Sequence, residues 1–195
     1  MTASIWLVLL VIAALIFDFL NGFHDSANVV ATMISSRAMS GKKALLLASI
    51  AEFVGPLIFG VAAATSIGSK VAVPESVTIY VLMAAFLSAS VLDIVSWDFG
   101  VSSSSSHALI GGIIGAVIIG SGFNTMHLKH DGILLICIVL FTSPIIGLIV
   151  GYAVMKLLLY ILRNATPRAE MGLKYGQIPA ALSLALSHGA NDAQK

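Results

Sequence analysis

The sequence predicts an all-α membrane protein: a polytopic helical bundle with discontinuous, re-entrant half-helices and inverted-topology repeats. Three observations favour this fold class. The 195 residues are 58% hydrophobic and 10% charged, whereas soluble domains carry about 25% charged residues. Apolar runs of membrane-helix length recur along the chain. Polar runs follow some of these apolar runs directly, which is typical of helices that are broken inside a bilayer.

The apolar runs predict five membrane crossings. They are residues 3–20, 26–38, 44–66, 77–97, 107–122 and 133–162. A spanning helix needs about 20 residues, so the run 26–38 is too short to cross alone. We therefore join it to the first run as one crossing that a break at Gly22 interrupts. The run 107–122 is marginal in length, and it also follows a polar segment.

Basic residues predict the orientation of these crossings. Most of them fall in two loops and comprise Arg37, Lys42, Lys43, Arg163, Arg168 and Lys174. The positive-inside rule places both loops in the cytoplasm. The N-terminus and the loops at 67–76 and 123–132 are then outside. We expect a multi-pass protein of the plasma or inner membrane, with the loop 163–175 cytoplasmic.

The first polar run lies between the first two apolar runs. Asp25, Ser26 and Asn28 follow Gly22, and Thr32 lies one helical turn after Asn28. Their oxygens suit a hard cation such as Na⁺, and a helix that restarts here would offer its N-terminus to an anion. Ordinary helix capping by Asp25 or Asn28 is the alternative. At membrane depth the cost of polar groups favours a binding site.

The second polar run is Ser102–Ser106, followed by His107 and an apolar, glycine-rich segment. Consecutive hydroxyls at a helix N-terminus provide hydrogen-bond donors for an oxyanion. This pattern makes Ser103, Ser104, Ser105 and Ser106 candidates for anion binding. A flexible serine linker is the alternative.

Isolated acids add to these two runs. Glu52 lies about 12 Å into the 44–66 span, too deep to reach an interface, so we expect it at a cation site or in a proton relay. Asp93 and Asp98 lie near the end of the 77–97 span. We expect solvation at the membrane interface for both.

A second copy of the first motif appears near the end of the chain. Gly22-x-x-Asp25 and Gly189-x-x-Asp192 are 167 residues apart, and the predicted topology approaches them from opposite sides of the membrane. This is the condition for inverted repeats. The predicted division is therefore a first transmembrane repeat at 1–165, with a linker and the start of a truncated second repeat at 166–195. Two unrelated helix breaks are the alternative.

The composition also limits ligands and partners. The first two polar runs contain no Lys or Arg, and a helix N-terminus supplies only about half an elementary charge. A divalent oxyanion therefore needs co-bound Na⁺ or H⁺, which predicts obligatory symport. The net charge of +1 does not indicate a nucleic-acid partner.

Three segments together resemble the PiT family of inorganic phosphate transporters. Gly22-Phe-His-Asp25-Ser-Ala-Asn28 is similar to the family's G-A-N-D-x-A-N signature, with His24 in place of Asn. The second segment, Ser187–Lys195, keeps G-A-N-D intact. The third, Trp97–Gly111, resembles the stretch W-x-F-G-x-P-x-S-S-S-H-x-L-I-G, with Ser102 in place of Pro. The position of Glu52 matches a glutamate that the family needs for transport.

This resemblance implies inverted repeats, re-entrant hairpins and import of phosphate with Na⁺ or H⁺ by alternating access. It implies that the substrate and cation sites are lined by Asp25, Asn28, Thr32, Ser104, Ser105 and Asp192. Together with the polar patterns described above, this predicts two sets of site residues. The substrate set is Ser26, Asn28, Thr32, Ser103, Ser104, Ser105, Ser106 and Asn191; the cation set is Asp25, Asn28, Glu52, Ser104 and Asp192. Related branches carry sulfate, but only monohydrogen phosphate can donate a hydrogen bond to a carboxylate, so acids in the site favour phosphate.

We therefore expect a transporter and not an enzyme, with no cofactor beyond the co-transported ion. The expected partners are phosphate, the lipid bilayer, the remaining C-terminal repeat and a second copy of the chain in a homodimer. Alternatives are transport of sulfate or of a metal–phosphate complex, a cation-only channel, and an intramembrane hydrolase that uses a serine with His107 as base. The sequence lacks the G-x-S-x-G context that the hydrolase would favour.

Overall fold

A computed structural model describes residues 2–59, 71–101, 103–122 and 128–192. Within these ranges the chain forms six α-helices and two short 3₁₀ turns, Pro74–Ser76 and Leu162–Asn164. The helices are α1 (Thr2–Ser35), α2 (Gly41–Phe59), α3 (Ile79–Asp98), α4 (Ser105–Gly120), α5 (His130–Ile161) and α6 (Pro167–Asp192). The same ranges contain no strand beyond an isolated bridge between Ala72 and Leu128. The all-α prediction is confirmed.

Three helices of the described ranges are long and apolar enough to cross a membrane: Ile5–Ser35, Ile79–Asp98 and His130–Asn164. They match the predicted crossings at 3–38, 77–97 and 133–162. Helix α4 has 16 residues, or about 24 Å, which is less than the roughly 30 Å of a hydrocarbon core. Helix α2 covers the first part of the predicted 44–66 span, and residues 60–66 lie outside the described ranges.

The predicted break at Gly22 is wrong. Helix α1 continues from Thr2 to Ser35 without interruption, so 26–38 is not a separate helix. A glycine inside a helix costs only about 1 kcal/mol relative to alanine, and this segment contains no proline. The Ser26 hydroxyl donates to the Phe23 carbonyl within α1 instead of capping a new helix. Asp25 and Asn28 are therefore mid-helix residues, and α1 offers no helix N-terminus beside them.

Helices α3 and α4 form an antiparallel hairpin beside α1. Gly112 allows its close packing, because a Cβ there would lie 2.6 Å from the Ser88 hydroxyl. Helix α1 runs parallel to α3, since Trp6 packs on Tyr80 and Phe23 packs on Trp97 further along both helices. The hairpin turn is thus level with Phe23, which lies twelve residues, or about 18 Å, before the end of α1.

Helix α1 lies between two buried clusters. Phe17 on one side packs with residues of the hairpin, such as Ala85 and Leu109. Met33 on the other side packs with small residues of α2 and α6, including Ala48 and Ala185. These alanines let α2 and α6 approach closely. Helix α1 therefore holds the hairpin on one face and the α2–α6 pair on the other.

The connections between helices meet at the two ends of the bundle. A groove lined by Ser36, Thr166, Glu170 and Lys174 brings the α1–α2 turn beside the α5–α6 turn. The Ala72–Leu128 bridge joins the segments that precede α3 and α5. The two basic loops therefore share one end of the molecule. Their assignment to the cytoplasm stays a prediction.

Candidate functional site

Three carboxylates from three helices surround one imidazole. His188 of α6 places Nε2 3.5 Å from the Asp25 Oδ2 of α1 and 3.3 Å from the Asp192 Oδ2 of its own helix. Its Nδ1 lies 3.5 Å from the Glu52 Oε1 of α2. All four side chains are half-buried. We call these four residues the acidic cluster.

Close helix packing explains how Glu52 reaches this cluster. A Cβ on Gly189 would collide with the backbone of Glu52, and a Cβ on Gly55 would lie 2.9 Å from the Ala190 nitrogen. Because both positions are glycine, α2 and α6 come into backbone contact at the level of Glu52. Gly189, which lies three residues before Asp192, therefore has a packing function.

Asn21 is a further residue of the site that the sequence did not single out. Its Nδ2 donates to Asp192 Oδ2 at 2.8 Å, and the residue is only 5% exposed. One signal could have found it: Asn21 lies four residues before Asp25, so in a continuous helix both occupy one face. The predicted break at Gly22 hid this relation.

Two contacts between α1 and α6 are related by the motif repeat. The sequence offset that relates Asp25 to Asp192 also relates Asn21 to His188. Asn21 contacts Asp192, and its counterpart His188 contacts Asp25. The residue one turn before Asp25 therefore contacts Asp192, and the residue one turn before Asp192 contacts Asp25.

A cavity of about 200 Å³ opens beside the cluster. Its lining residues are Asp18, Asn21, Gly22, Glu52, His188, Gly189 and Asp192. Ligand atoms of Asp25, His188 and Asp192 all lie within 4.8 Å of one another, close enough to coordinate one metal ion. Carboxylate and amide oxygens are ligands for hard cations. The arrangement suits a small cation that keeps some of its water.

Other predicted residues on α1 and α6 lie outside this cavity. Asn28 and Thr32 are exposed on α1, and Asn191 is exposed on α6. Ser26 is half-buried, with its hydroxyl bonded inside α1. The structure thus brings Asp25, Glu52 and Asp192 together and leaves these four residues on the neighbouring helix surfaces.

The serine run lies at the start of α4 and lines a different cavity. Ser104 is the N-cap residue of α4, and with His107 it faces a space of about 630 Å³ between α3 and α4. Ser105 is buried and Ser106 is half-buried. Ser102 lies outside the described residues. The sequence predicts a helix that begins after the serine run, and the structure begins it two residues earlier than the apolar run 107–122, at Ser105 inside the serine run.

The interfacial solvation predicted for Asp93 is wrong. Asp93 is 3% exposed because α1, across a small cavity, and the segment before α4 cover it. The Ser103 hydroxyl donates to Asp93 Oδ1 at 3.2 Å. Asp98, at the end of α3, is exposed as predicted.

Similarity to known proteins agrees with this architecture. The sequence matches the model of the phosphate transporter family over residues 21–171. It is 37% identical over 191 residues to the "Probable low-affinity inorganic phosphate transporter" of Bacillus subtilis (strain 168), covering 96% of this chain and 56% of that protein. It is 38% identical over 190 residues to the protein of the same description from Rhizobium meliloti (strain 1021), covering 97% and 56%. The chain spans about half the length of these curated relatives.

A solved structure described as "The sodium-dependent phosphate transporter" shares the fold, with a TM-score of 0.76 at 21% sequence identity. The alignment covers 97% of this chain and 55% of the solved one. These curated relatives are named as transporters, so the hydrolase alternative has no support among them. The family match extends from Asn21 in the first motif through the serine run and α5. The chain belongs to the phosphate transporter family.

Proposed function

We propose that this chain, together with the rest of its protein, forms a secondary active symporter that imports inorganic phosphate with Na⁺ or H⁺ by alternating access. The observation that carries the proposal is the convergence of Asp25, Glu52 and Asp192 around His188, beside a cavity that Glu52 and Asp192 line. Carboxylates at membrane depth are costly and mark ion pathways. The names of the curated relatives support phosphate as the substrate.

The charge of the acidic cluster supports coupling to a cation. Three carboxylates surround a single imidazole, so negative charge exceeds positive charge whether or not His188 is protonated. A cation that binds among Asp25, Glu52 and Asp192 offsets this excess, and it thereby lowers the repulsion that a nearby anion would experience. The structurally similar protein is described as sodium-dependent, which favours Na⁺ over H⁺ as this ion.

The anion binds, in this proposal, at the start of α4. The N-terminus of a helix attracts anions through its N–H groups and its dipole, and Ser104, Ser105 and Ser106 add hydroxyls there. The hairpin turn is level with Phe23, two residues before Asp25, so the serine run and the acidic cluster occupy similar depths on different faces of α1. Asn28, Thr32 and Asn191 complete the site together with parts of the protein beyond this chain.

The repeated contact pattern supports an inverted-repeat architecture. Residues 1–165 form the first repeat, residues 166–195 begin the second, and the exchange of Asn21–Asp192 and His188–Asp25 contacts is what a pseudo-two-fold axis produces. The hairpin turn, about 18 Å short of the end of α1, fits a re-entrant hairpin. We place the protein in the plasma or inner membrane, as a homodimer, with the basic loops cytoplasmic.

Uptake of radiolabelled phosphate tests the proposal. Full-length protein in proteoliposomes is given a Na⁺ gradient or a pH gradient separately, with unlabelled sulfate as competitor. Phosphate should accumulate with one gradient, and Asp25→Asn and Glu52→Gln should each abolish accumulation without loss of folded protein. Preferential uptake of sulfate would identify sulfate as the substrate. Phosphate uptake only in the presence of a divalent metal would favour a metal–phosphate complex as the substrate. Normal uptake by both variants would refute the site.

A further inference from the structure

Asp93 is a buried carboxylate on α3, a helix long enough to cross a membrane. It lies five residues before the end of α3, beside the hairpin turn. A carboxylate at this depth is costly unless hydrogen bonds or a charged partner stabilise it. The groups that contact Asp93 therefore indicate why an acid is kept there.

Two serines connect Asp93 to the serine run. The Ser103 hydroxyl donates to Asp93 Oδ1 at 3.2 Å, and the Ser96 hydroxyl lies 2.9 Å from the Ser103 oxygen, to which it donates. Ser96 also approaches the main-chain carbonyl of Asp93 at 3.0 Å. We call Asp93, Ser96 and Ser103 the clasp. It joins the last turns of α3 to the segment that begins α4.

The clasp uses the only hydroxyl proton of Ser103. A serine hydroxyl has one proton to donate, and here that proton points to Asp93. Ser103 therefore cannot also donate to a bound anion while the clasp is closed. Its contribution is to hold the turn, and donation to the anion is left to the residues after it.

The clasp complements the backbone bonds that end α3. Gly100 adopts a left-handed conformation, with φ of +65°, and the Val101 nitrogen donates to the Ser96 carbonyl at 2.9 Å. This is a glycine C-cap, which fixes the first half of the turn. Asp93 and Ser103 fix the second half, directly before N-cap residue Ser104.

We propose that Asp93 is a positioning residue for the anion site: by holding Ser103 it fixes the start of α4, without touching the transported anion. This inference rests on the proposed function, which places the anion at that helix start. Helix N–H groups bind an anion only where they point at it. Releasing Ser103 therefore weakens anion binding and leaves the acidic cluster unchanged.

Transport kinetics of the full-length protein test this role. Asp93→Ala and Ser103→Ala should each raise the phosphate KM about tenfold, equivalent to about 1.4 kcal/mol for one hydrogen bond to a charged group. Maximal rate and the KM for the coupling cation should not change. Asp93→Asn keeps an acceptor and Ser103→Thr keeps a donor, so both should restore a phosphate KM near that of the wild type. Asp98→Asn, at an exposed acid of the same helix, is the matched control.

Two results would overturn the proposal. One is an unchanged phosphate KM in both alanine variants. The other is a change in the cation KM with Asp93→Asn, which would make Asp93 a cation ligand in the cavity of about 190 Å³ that it lines with His24 and Trp97. Thermal stability of each purified variant identifies any variant that does not fold. If Asp93→Ala does not fold, the phosphate KM values of Ser103→Ala and Ser103→Thr test the proposal in its place.

A second measurement separates this inference from the proposed function. In a Cys137→Ser background, Ser104→Cys reports the position of the α4 start through its rate of labelling by a maleimide. Asp93→Ala should change this rate and Asp93→Asn should not. If the wild type takes up no phosphate but the labelling follows this pattern, the proposed function fails and the clasp stands. Equal rates in all three proteins would contradict the clasp itself.

Discussion

At the scale of single residues, the acidic cluster depends on contacts between side chains of different helices. Asp25, Glu52 and Asp192 could be predicted because a carboxylate inside an apolar run is costly wherever the chain folds. The predicted break at Gly22 hides the place of Asn21 one turn before Asp25, and its bond to Asp192 depends on the contact between α1 and α6. The burial of Asp93 has a similar cause, since residues of α1 and the segment before α4 lie against it.

Replacing Asn21 tests whether it holds Asp192 in place. Asn21→Ala removes a hydrogen bond to a carboxylate, worth about 1.5–3 kcal/mol, and leaves Asp192 with one fewer donor. We expect the KM for the coupling cation to rise about tenfold to a hundredfold. Cation-dependent phosphate uptake by proteoliposomes measures this.

Asn164→Ala is the control for this substitution, because Asn164 is exposed in the 3₁₀ turn after α5. It should leave the cation dependence unchanged. If Asn21→Ala behaves like Asn164→Ala, the hydrogen bond to Asp192 does not contribute to cation binding.

At the scale of helices, hydropathy predicted where the helices lie, but polar residues did not predict correctly where a helix is interrupted. The ends of α3 and α5 fall within three residues of the predicted spans 77–97 and 133–162, because burial in lipid requires a long apolar run. The break in α1 was predicted from Gly22 and its polar neighbours. Yet the free energy that one glycine costs a helix is small compared with the free energy gained when α1 packs against two other groups of helices.

The glycine contact between α2 and α6 can be tested by adding one methyl group. Gly189→Ala places a Cβ against the backbone of Glu52, and overpacking of this kind costs about 1–3 kcal/mol. The helices must separate, which also moves Glu52 away from His188. We expect a lower melting temperature in detergent and a loss of phosphate uptake.

Gly176→Ala is the matched control on the same helix. Gly176 has no atom within 4 Å of an added Cβ, and alanine favours a helix over glycine by about 1 kcal/mol. The melting temperature should stay the same or rise. An equal decrease in both variants would show that close α2–α6 packing is not the cause.

At the scale of the whole molecule, the described residues form an incomplete bundle. Helix α5 has no buried residue along its 32 positions and contacts one cluster only through half-buried Ile133 and Ile136. The other five helices contribute buried residues to two clusters. A lipid-facing helix is apolar all round, so sequence pattern alone could not show which face of α5 meets protein. The alternation of helix directions, by contrast, could be predicted from basic loops.

The sidedness of the molecule gives the last prediction. The α1–α2 and α5–α6 turns meet at one end, where most basic residues cluster, and the Ala72–Leu128 bridge marks the other end. The positive-inside rule places the basic end in the cytoplasm. In a Cys137→Ser background, Ser40→Cys should therefore be labelled only from the cytoplasmic side and Glu75→Cys only from outside, since both residues are exposed. Membrane-impermeant maleimide applied to intact cells and to inverted vesicles measures this, and labelling of both from one side would contradict the arrangement of α1 and α2 as consecutive membrane crossings.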